Sequence, residues 1–236
     1  MQLPLGSDHR TDVLRRTQAA LIEAFGRIVR PPDKRRTPEW TLVQGVIGAR
    51  SKTRVSNEST DQLIAEYGSW EAVAAAPLEQ LEFALAGQTF PGQSARRLKD
   101  CLNTIIAGRG AVDLRHLSNM PTEDSMNWLE ALPGIARKIS AQVMNTSDFD
   151  RKAMVIDGHH RRIMQRMGLV SGKADTARCY DELMPNVPEE WSAADMDEHH
   201  LLLKKLGQAY CRPACPRCAG CPVRHDCETG RLQGAS

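Results

Sequence analysis

The chain has 236 residues, 41% of them hydrophobic and 25% charged, so it can bury one large core or two smaller ones. Its formal net charge of +2 neither requires nor excludes a polyanionic partner, so the placement of the basic residues matters more than their number. The sequence has no apolar run long enough to span a membrane, and its first residues lack a signal-peptide pattern. We therefore expect a cytoplasmic protein whose thiols stay reduced.

Apolar residues at helical spacing predict an all-α protein, with little of the alternation that strands need. The first helix is predicted over 11–29 with Thr11 as its N-cap. A linker follows at 30–40, which holds three prolines and a basic run. Several short helices are expected between 40 and 144. Three more helical stretches are predicted at about 159–167, 174–183 and 196–207.

The segment "MNWLEALPGIARKISAQVM" (126–144) predicts two short helices joined by a tight turn at Pro133 and Gly134, with Gly134 at a positive φ. The unpaired N–H groups at the start of the second helix suit an anion such as a backbone phosphate, and Arg137 and Lys138 add positive charge there. Periodicity alone favours an ordinary αα-hairpin with a solvated Arg–Lys pair.

Five of the seven cysteines lie between 211 and 227, in "CRPACPRCAGCPVRHDC". An odd total and a reducing compartment make a disulfide framework the weakest interpretation and favour a metal site. Four cysteines suit either a tetrahedral zinc ion or an iron–sulfur cluster, and the residues alone leave both open. The remaining two, Cys101 and Cys179, are predicted to be buried and inert.

Three motifs, in this order along the chain, resemble the endonuclease III family of DNA glycosylases. "LPGIARKIS" resembles the family's helix-hairpin-helix pattern L-P-G-V-G-R-K-T, and "VIDGHHRRI" (155–163) resembles V-D-T-H-x-x-R-V. The [4Fe–4S] signature of the family is matched by C-x6-C-x2-C-x5-C, formed by Cys211, Cys218, Cys221 and Cys227. Cys215 would form a second set with the last three, but the family spacing favours Cys211 and leaves Cys215 as a free thiol.

The resemblance implies that Lys138 and Asp157 are catalytic. A neutral lysine amine can attack the sugar C1′, and a carboxylate can stabilise the positive charge that develops on the sugar as the base leaves. Asp157 also directly precedes a predicted helix, so it is equally suited to be an N-cap, and both roles are compatible. Lysine at position 138 predicts a glycosylase that also cleaves the strand by β-elimination.

The resemblance also implies a DNA-binding surface. Its predicted members are Arg50, at the place of the family's inserting residue, the hairpin residues Gly134, Ala136 and Arg137, and Arg212 and Arg217 in the cysteine-rich loop. On charge pattern alone, the loop that contains Arg50 is equally typical of a solvated surface. Ala136 replaces a glycine of the family pattern and Gly158 replaces a threonine, which affects the expected substrate range more than the reaction class.

The implied architecture is two helical domains that flank a DNA-binding cleft. Residues 33–151 would form a six-helix barrel that holds the hairpin at about 126–146. Residues 1–32 and 152–236 would form a discontinuous domain with the [4Fe–4S] loop at 211–227.

The expected function is a bifunctional DNA glycosylase and AP lyase of base excision repair. Its expected substrate is double-stranded DNA containing oxidised pyrimidines or abasic sites. The alternatives are a glycosylase for mismatched thymine or another lesion, and a catalytically weak DNA-binding paralogue. The protein is expected to be a monomer, associated with the nucleoid if bacterial.

Overall fold

The protein is all-helical over residues 7–233, the part of the chain that this computed structural model describes, which confirms the predicted fold class. The α-helices are α1 (Ser7–Phe25), α2 (Pro38–Ile47), α3 (Thr53–Tyr67), α4 (Trp70–Ala75), α5 (Leu78–Ala84), α6 (Pro91–Arg109), α7 (Thr122–Glu130), α8 (Arg137–Thr146), α9 (Gly158–Met167), α10 (Thr176–Leu183), α11 (Ala193–Ala209) and α12 (Glu228–Leu232). Short 3-10 helices lie at Pro32–Lys34, Arg115–Asn119, Met184–Asn186 and Arg224–Asp226. Within residues 7–233, an isolated β-bridge pairs the backbone of Arg36 with that of Ser147.

The chain divides into two compact units. One unit is continuous and spans Arg35–Arg151, which places α2 to α8 together. The other is discontinuous and consists of the chain up to Lys34 and the chain from Lys152 onward. The barrel arrangement and the cleft proposed from the sequence stay predictions, and residues 1–6 and 234–236 of the predicted second domain lie outside the described range.

In the continuous unit, α2 begins inside the stretch predicted to be a linker. Thr37 is extended, and its side-chain oxygen accepts a hydrogen bond from the backbone N–H of Trp40 at 3.2 Å. Pro38 takes the first helical position, where its missing N–H costs no hydrogen bond. The helix then buries Leu42, Val43 and Ile47 completely, so the linker ends at Thr37 because a capped, apolar helix can start there.

Helices α2 and α8 approach each other closely at a glycine. A Cβ atom built on Gly45 would lie 2.8 Å from Cγ2 of Ile139, and real Cβ contacts essentially never come that close. Because Ile139 is branched at its own Cβ, this methyl group cannot swing away without changing the rotamer. Gly45 therefore fixes the separation of α2 from the first turn of α8.

In the discontinuous unit, the predicted N-cap at Thr11 is wrong. Helix α1 already begins at Ser7, and the Thr11 hydroxyl donates to the backbone carbonyl of Asn186 at 2.8 Å. Residues before Thr11 continue the helix, so no N-terminal N–H group lies in reach of its side chain. Leu14 and Leu21 then face inward and are fully buried.

Two later helices also start elsewhere than periodicity predicted. Ser192 and Asp195 form a capping box, so α11 begins at Ala193 rather than at residue 196. Asp175 caps α10 through the backbone N–H of Arg178, so that helix begins at Thr176 rather than at residue 174. Cap residues, which are polar, are invisible to a search for apolar spacing.

Candidate active site

The hairpin predicted at 126–146 is formed by α7, a tight turn and α8. Gly134 has φ +78°, as predicted, and the backbone N–H of Ile135 donates to the carbonyl of Leu132 at 3.2 Å to close the turn. A Cβ at Gly134 would have room, since its nearest neighbours on Arg97 lie 3.7 Å away. The left-handed backbone conformation, rather than crowding, is therefore what requires glycine at this position.

Helix α8 starts without a side-chain cap. Ala136 occupies the N-cap position in an extended conformation, with φ −123° and ψ 168°, but carries no oxygen that a backbone N–H group of the first turn could use. Lys138 lies in that first turn and is half-buried. The positive end of the helix dipole and the lysine therefore occupy the same place, directly after the glycine turn.

Arg137 is engaged within the hairpin. Its Nε donates to Oε1 of Glu130 at 2.7 Å and its Nη1 lies 3.3 Å from Oε1 of Glu123, so only 12% of the side chain is exposed. The same Glu130 oxygen accepts a hydrogen bond from the Ser140 hydroxyl at 2.6 Å. Arg137 thus ties α7 to α8, an arrangement that the sequence did not suggest because both acidic partners precede the motif.

The loop between α2 and α3 presents Arg50. This residue has φ +61°, is exposed, and places its guanidinium carbon 5.8 Å from the centre of the Phe90 ring. Hydrogen bonds pin the loop to the segment before α6, because Thr89 N donates to Oγ of Ser51 at 2.9 Å and the Thr89 hydroxyl donates to the carbonyl of Arg50 at 3.0 Å. A surface cavity of about 280 Å³ is lined by Ala49, Arg50, Phe90, Gln93, Ser94 and Arg97.

Phe90 is a candidate that sequence reasoning missed. It is 39% exposed, and the described residues contain few large apolar side chains with that much exposure. The sequence held no signal for this, since phenylalanine is among the residues most often buried. An exposed ring beside two arginines is suited to stack on a nucleobase.

Asp157 is the N-cap of α9, as one of its two predicted roles required. Its Oδ1 accepts hydrogen bonds from the backbone N–H groups of His159 at 2.8 Å and His160 at 2.9 Å. Burial raises the pKa of Asp157, but the charge of His200, the N–H of His160 and the charges of His160 and His159 outweigh it and leave the pKa below its ordinary value. The carboxylate is therefore held ionised at the helix N-terminus.

Two histidines close to the start of α9, His160 and His199, are buried packing residues. His160 is completely buried, its Nδ1 lies 3.1 Å from the carbonyl oxygen of Val155, and burial lowers its pKa to about 4. His199 is also completely buried, with Nδ1 2.8 Å from Oε1 of Gln18, and burial lowers its pKa well below the ordinary value. The rings of His160 and His199 stack edge to face, with centroids 5.6 Å apart.

The cysteine-rich loop lines a small cavity of about 20 Å³. Among its lining residues are the four cysteines of the predicted set, Cys211, Cys218, Cys221 and Cys227. Cys215 is exposed and does not line this cavity, while Cys101 and Cys179 are buried elsewhere, as predicted. Of the two alternative sets, the one with Cys211 lines this cavity with all four of its members.

The two interpretations that the sequence left open, a zinc ion and an iron–sulfur cluster, both take cysteine thiolates as ligands. Among residues 7–233, no group of three or more His, Cys, Asp or Glu side chains is arranged to hold one metal ion. Burial, followed by repulsion from Cys227, Cys211 and Cys218, raises the pKa of Cys221 to about 11, so without a metal this thiol is protonated at neutral pH.

Helix α9 anchors the cysteine-rich loop from the side opposite its Asp157 cap. Arg162 donates to the carbonyl of Cys211 at 2.7 Å, and Arg166 lies 3.3 Å from Sγ of Cys211 and donates to the carbonyls of Arg212 at 2.6 Å and Pro213 at 2.7 Å. The side chains of the predicted DNA contacts Arg212 and Arg217 are exposed. One helix therefore carries a candidate catalytic carboxylate at its start and holds the loop at its end.

Comparisons with known proteins identify the family of this chain. Residues 43–189 match the family model described as HhH-GPD superfamily base excision DNA repair protein. Endonuclease III of Bacillus subtilis is 28% identical over 195 residues, which cover 82% of this chain and 82% of that protein. Endonuclease III of Haemophilus influenzae is 25% identical over 193 residues, with 81% and 84% covered.

Solved structures share the fold. A trapped endonuclease III–DNA covalent intermediate superimposes with a TM-score of 0.75 at 21% identity, covering 95% of this chain and 98% of that chain. A thermostable thymine-DNA glycosylase gives a TM-score of 0.72 at 18% identity, with 94% and 97% covered. Within residues 7–233, none of the helices combines the length and the apolar character needed to cross a bilayer.

Proposed function

The chain belongs to the HhH-GPD superfamily of base excision DNA repair proteins, as its resemblance to endonuclease III predicted, and we propose that it is a DNA glycosylase with AP lyase activity. The observation that carries this proposal is the position of Lys138. A half-buried lysine stands in the uncapped first turn of α8, directly after the Gly134 turn. A phosphate bound at that helix start would bring the sugar of one nucleotide to the lysine.

Lys138 acts as the nucleophile in this mechanism. Its neutral Nζ attacks C1′ of the damaged nucleotide, the bond from C1′ to the base breaks, and the base leaves with a proton. The sugar ring opens to a Schiff base between Nζ and C1′, which makes the C2′ proton acidic. Loss of that proton and departure of the 3′ phosphate complete β-elimination, and water then hydrolyses the Schiff base.

Asp157 serves this reaction as a carboxylate. The hydrogen bonds from the N–H groups of His159 and His160 keep it ionised, so it can stabilise the positive charge that the sugar carries while the base departs. The carboxylate lone pairs that accept no backbone N–H then take up and return protons during opening of the sugar ring and β-elimination. The low pKa favours charge stabilisation over donation of a proton to the base.

The DNA-binding surface comprises exposed groups on each unit. The start of α8 at Gly134 and Ala136 takes a phosphate, and Arg212 and Arg217 contact the backbone from the cysteine-rich loop. Arg50 and Phe90 enter the duplex, where the guanidinium bonds the orphaned base and the ring fills the gap left by the flipped nucleotide. Arg137, engaged with Glu130 and Glu123, supports the hairpin that presents this helix start.

The cysteine-rich loop is proposed to hold a [4Fe–4S] cluster through Cys211, Cys218, Cys221 and Cys227. The cavity that these four residues share, and the exclusion of Cys215 from it, support this ligand set. When bound, the cluster fixes the shape of the loop, so that Arg212 and Arg217 meet the DNA backbone. Catalysis is left to Lys138 and Asp157.

The proposed substrate is double-stranded DNA with an oxidised or ring-saturated pyrimidine, or with an abasic site. Mismatched thymine is the second candidate, since a thymine-DNA glycosylase shares the fold. We also propose that the protein is a monomer in the cytoplasm, where it would associate with the nucleoid in a bacterial cell.

Borohydride trapping tests this function. Wild type, Lys138→Gln and Asp157→Asn are incubated with duplexes that contain an abasic site, an oxidised pyrimidine or neither. Lys173→Gln, at an exposed turn, is the matched control for the lysine substitution. We expect a covalent adduct on both damaged duplexes, formed by wild type and by the control and absent from Lys138→Gln.

Each other outcome changes a specific part of the proposal. Adduct formation by Lys138→Gln would place the nucleophile on another residue. Trapping on the abasic duplex alone would retain the lyase and redirect the search to another lesion. The absence of any adduct, from protein with its full iron content, would favour the DNA-binding paralogue.

A further inference from the structure

Gln142 lies one turn beyond Lys138 on the same face of α8. The two residues are four positions apart, which places their side chains next to each other along the helix. Gln142 is half-buried, and its Nε2 donates to Oε1 of Gln44 on α2 at 2.7 Å. The helix face that carries the proposed nucleophile therefore also carries a tethered amide.

Gln44 is itself held, with only 7% of the residue exposed. Its Nε2 donates to Oγ of Ser56 at 3.0 Å and to Oδ1 of Asn57 at 3.1 Å. The hydroxyl of Ser56 donates its proton to the backbone carbonyl of Thr53 at 3.1 Å, so its oxygen can only accept from Gln44. The direction of hydrogen bonding in this chain is therefore set by a backbone carbonyl, which never donates.

That direction determines how Gln142 is oriented. Since both contacts of Gln44 Nε2 are donations, the carbonyl of Gln44 must face α8, and Gln142 must point an N–H group toward it. What Gln142 retains for another molecule is its carbonyl Oε1 and its second N–H. The close approach of α2 to α8 at Gly45 keeps this pair of side chains in place.

We propose that Gln142, oriented by Gln44, determines base specificity by reading the hydrogen-bonding edge of the flipped base. This inference rests on the proposed glycosylase function. A fixed amide with one acceptor and one donor is complementary to an imide edge, in which the ring N3–H donates to Oε1 and the carbonyl O4 accepts from Nε2. Thymine- and uracil-derived lesions have this edge. Cytosine-derived lesions present the opposite pattern, with an acceptor at N3 and a donor at N4.

Burial of the glutamine pair gives the discrimination its strength. An amide that can rotate would pair with either edge, but rotation of Gln142 would oppose two carbonyl oxygens and leave buried groups on Gln44 without partners. Sites built to hydrogen-bond one pattern reject the analogue that lacks it, because the polar groups of the site are then left unpaired. One good bidentate pair gives roughly 10- to 100-fold selectivity.

The test compares two lesions that differ at this edge, 5-hydroxyuracil and 5-hydroxycytosine, each in the same duplex and opposite the same base. Single-turnover excision is measured for wild type, Gln142→Met, Gln142→Glu and Gln44→Met, and trapping on an abasic duplex is measured alongside. An abasic site has no base to read. Thr146→Val, which removes a hydroxyl one turn further along α8, is the matched control.

We expect wild type and Thr146→Val to excise 5-hydroxyuracil about 10-fold or more faster than 5-hydroxycytosine. Gln142→Met should reduce this ratio to near 1, and Gln44→Met should reduce it in the same direction, because Gln142 is then free to rotate. Gln142→Glu, which only accepts hydrogen bonds, should move preference toward 5-hydroxycytosine, whose N4 amino group donates. Abasic-site trapping should stay within about 3-fold of wild type in Gln142→Met, Gln44→Met and Thr146→Val, a range small beside the expected selectivity.

Unchanged selectivity in Gln142→Met, with abasic trapping intact, would overturn the inference and leave the proposed function standing. Equal excision of the two lesions by wild type, or excision of neither, would do the same. A parallel loss of excision and trapping in Gln142→Met and Gln44→Met would also overturn it, by assigning the pair a purely structural role. Failure of wild type to trap any duplex would instead remove the proposed function and this inference together.

Discussion

Helices α8 and α9 each begin at a candidate catalytic residue, but they differ in whether a side chain caps the N–H groups of the first turn. At α8 the N-cap is Ala136, no side chain caps the helix, and Lys138 stands in the first turn. At α9 the N-cap is Asp157 itself, and its carboxylate accepts two backbone N–H groups. The first arrangement suits a helix start that receives an anion from outside. The second supplies its own anion and keeps it ionised.

The two helices also differ in what holds their far ends. At its far end α9 is tied by Arg162 and Arg166 to the cysteine-rich loop. Helix α8 is held along its length instead, by Gln142 and by the close contact of Ile139 with Gly45 of α2. A cap and contacts with the cysteine-rich loop thus position Asp157, whereas helix–helix packing positions Lys138.

The largest expected effect comes from separating charge from capping at Asp157. Asp157→Asn keeps an oxygen that can accept from the N–H groups of His159 and His160, while Asp157→Ala removes it. Loss of the carboxylate should slow base excision about 100-fold or more in both variants. Only Asp157→Ala should also lower the free energy of unfolding, by about 1 kcal/mol.

Single-turnover excision and urea denaturation measure these two quantities on the same protein. Near-wild-type excision by Asp157→Asn would assign Asp157 to capping alone. Equal stability of the alanine and asparagine variants would show instead that the cap contributes nothing to α9.

The second largest effect is expected in the cysteine-rich loop that α9 holds. It is tested by replacing two cysteines that lie four residues apart. Cys211→Ser should lose iron and visible absorbance and should melt at a lower temperature, because a structural metal site contributes binding energy to folding. Cys215→Ser should retain both, since Cys215 is exposed and outside the cavity. Iron analysis and thermal melting decide between them. The reverse pattern would assign the ligand set that contains Cys215.

Features that were predictable from the sequence are local in the chain. Gly134 and the Asp157 cap each depend on residues within a few positions, so short motifs predict both. The pairing of Gln142 with Gln44 spans 98 positions and joins two polar residues, and neither spacing nor motif indicates it. The engagement of Arg137 was missed for a related reason, since it depends on which face of α7 presents Glu123 and Glu130. Thr11 failed as a cap because the residues before it are also helical.

The third effect concerns pH and the buried histidines beside α9. Burial lowers the pKa of His160 to about 4, with His200 adding to the shift and Asp157 and the carbonyl of Val155 opposing it. In the unfolded chain the pKa is about 6.5, so only the unfolded state binds a proton between these values. The free energy of unfolding therefore has its full value above about pH 6.5. It decreases as the pH falls toward 4, because the unfolded chain binds a proton that the folded protein does not.

Chemical denaturation between pH 7 and pH 5 measures this slope. Each fully buried histidine should lower the free energy of unfolding by about 2 kcal/mol over that range. His160→Leu should make the slope shallower, and a matched substitution at exposed His225 should leave it unchanged. The lowered pKa of Asp157 acts in the same direction but only below its unfolded value of about 3.8, outside this range. An equal slope in His160→Leu would remove the buried imidazole as its cause.

The smallest expected effect comes from giving α8 the cap that α9 already has. Ala136 has the extended backbone of an N-cap, so serine fits without strain, and its hydroxyl would accept a backbone N–H of the first turn. Ala136→Ser should raise the free energy of unfolding by about 0.5–1 kcal/mol. It should also weaken binding to a duplex with an abasic-site analogue, since the hydroxyl then competes with phosphate for the same backbone N–H group.

Ala194→Ser, at an exposed position of α11, is the control and should change neither the free energy of unfolding nor the affinity for DNA. A variant that gains stability without losing affinity would show that the start of α8 is not where the phosphate binds, and the contrast between the two helices would then have no consequence for DNA.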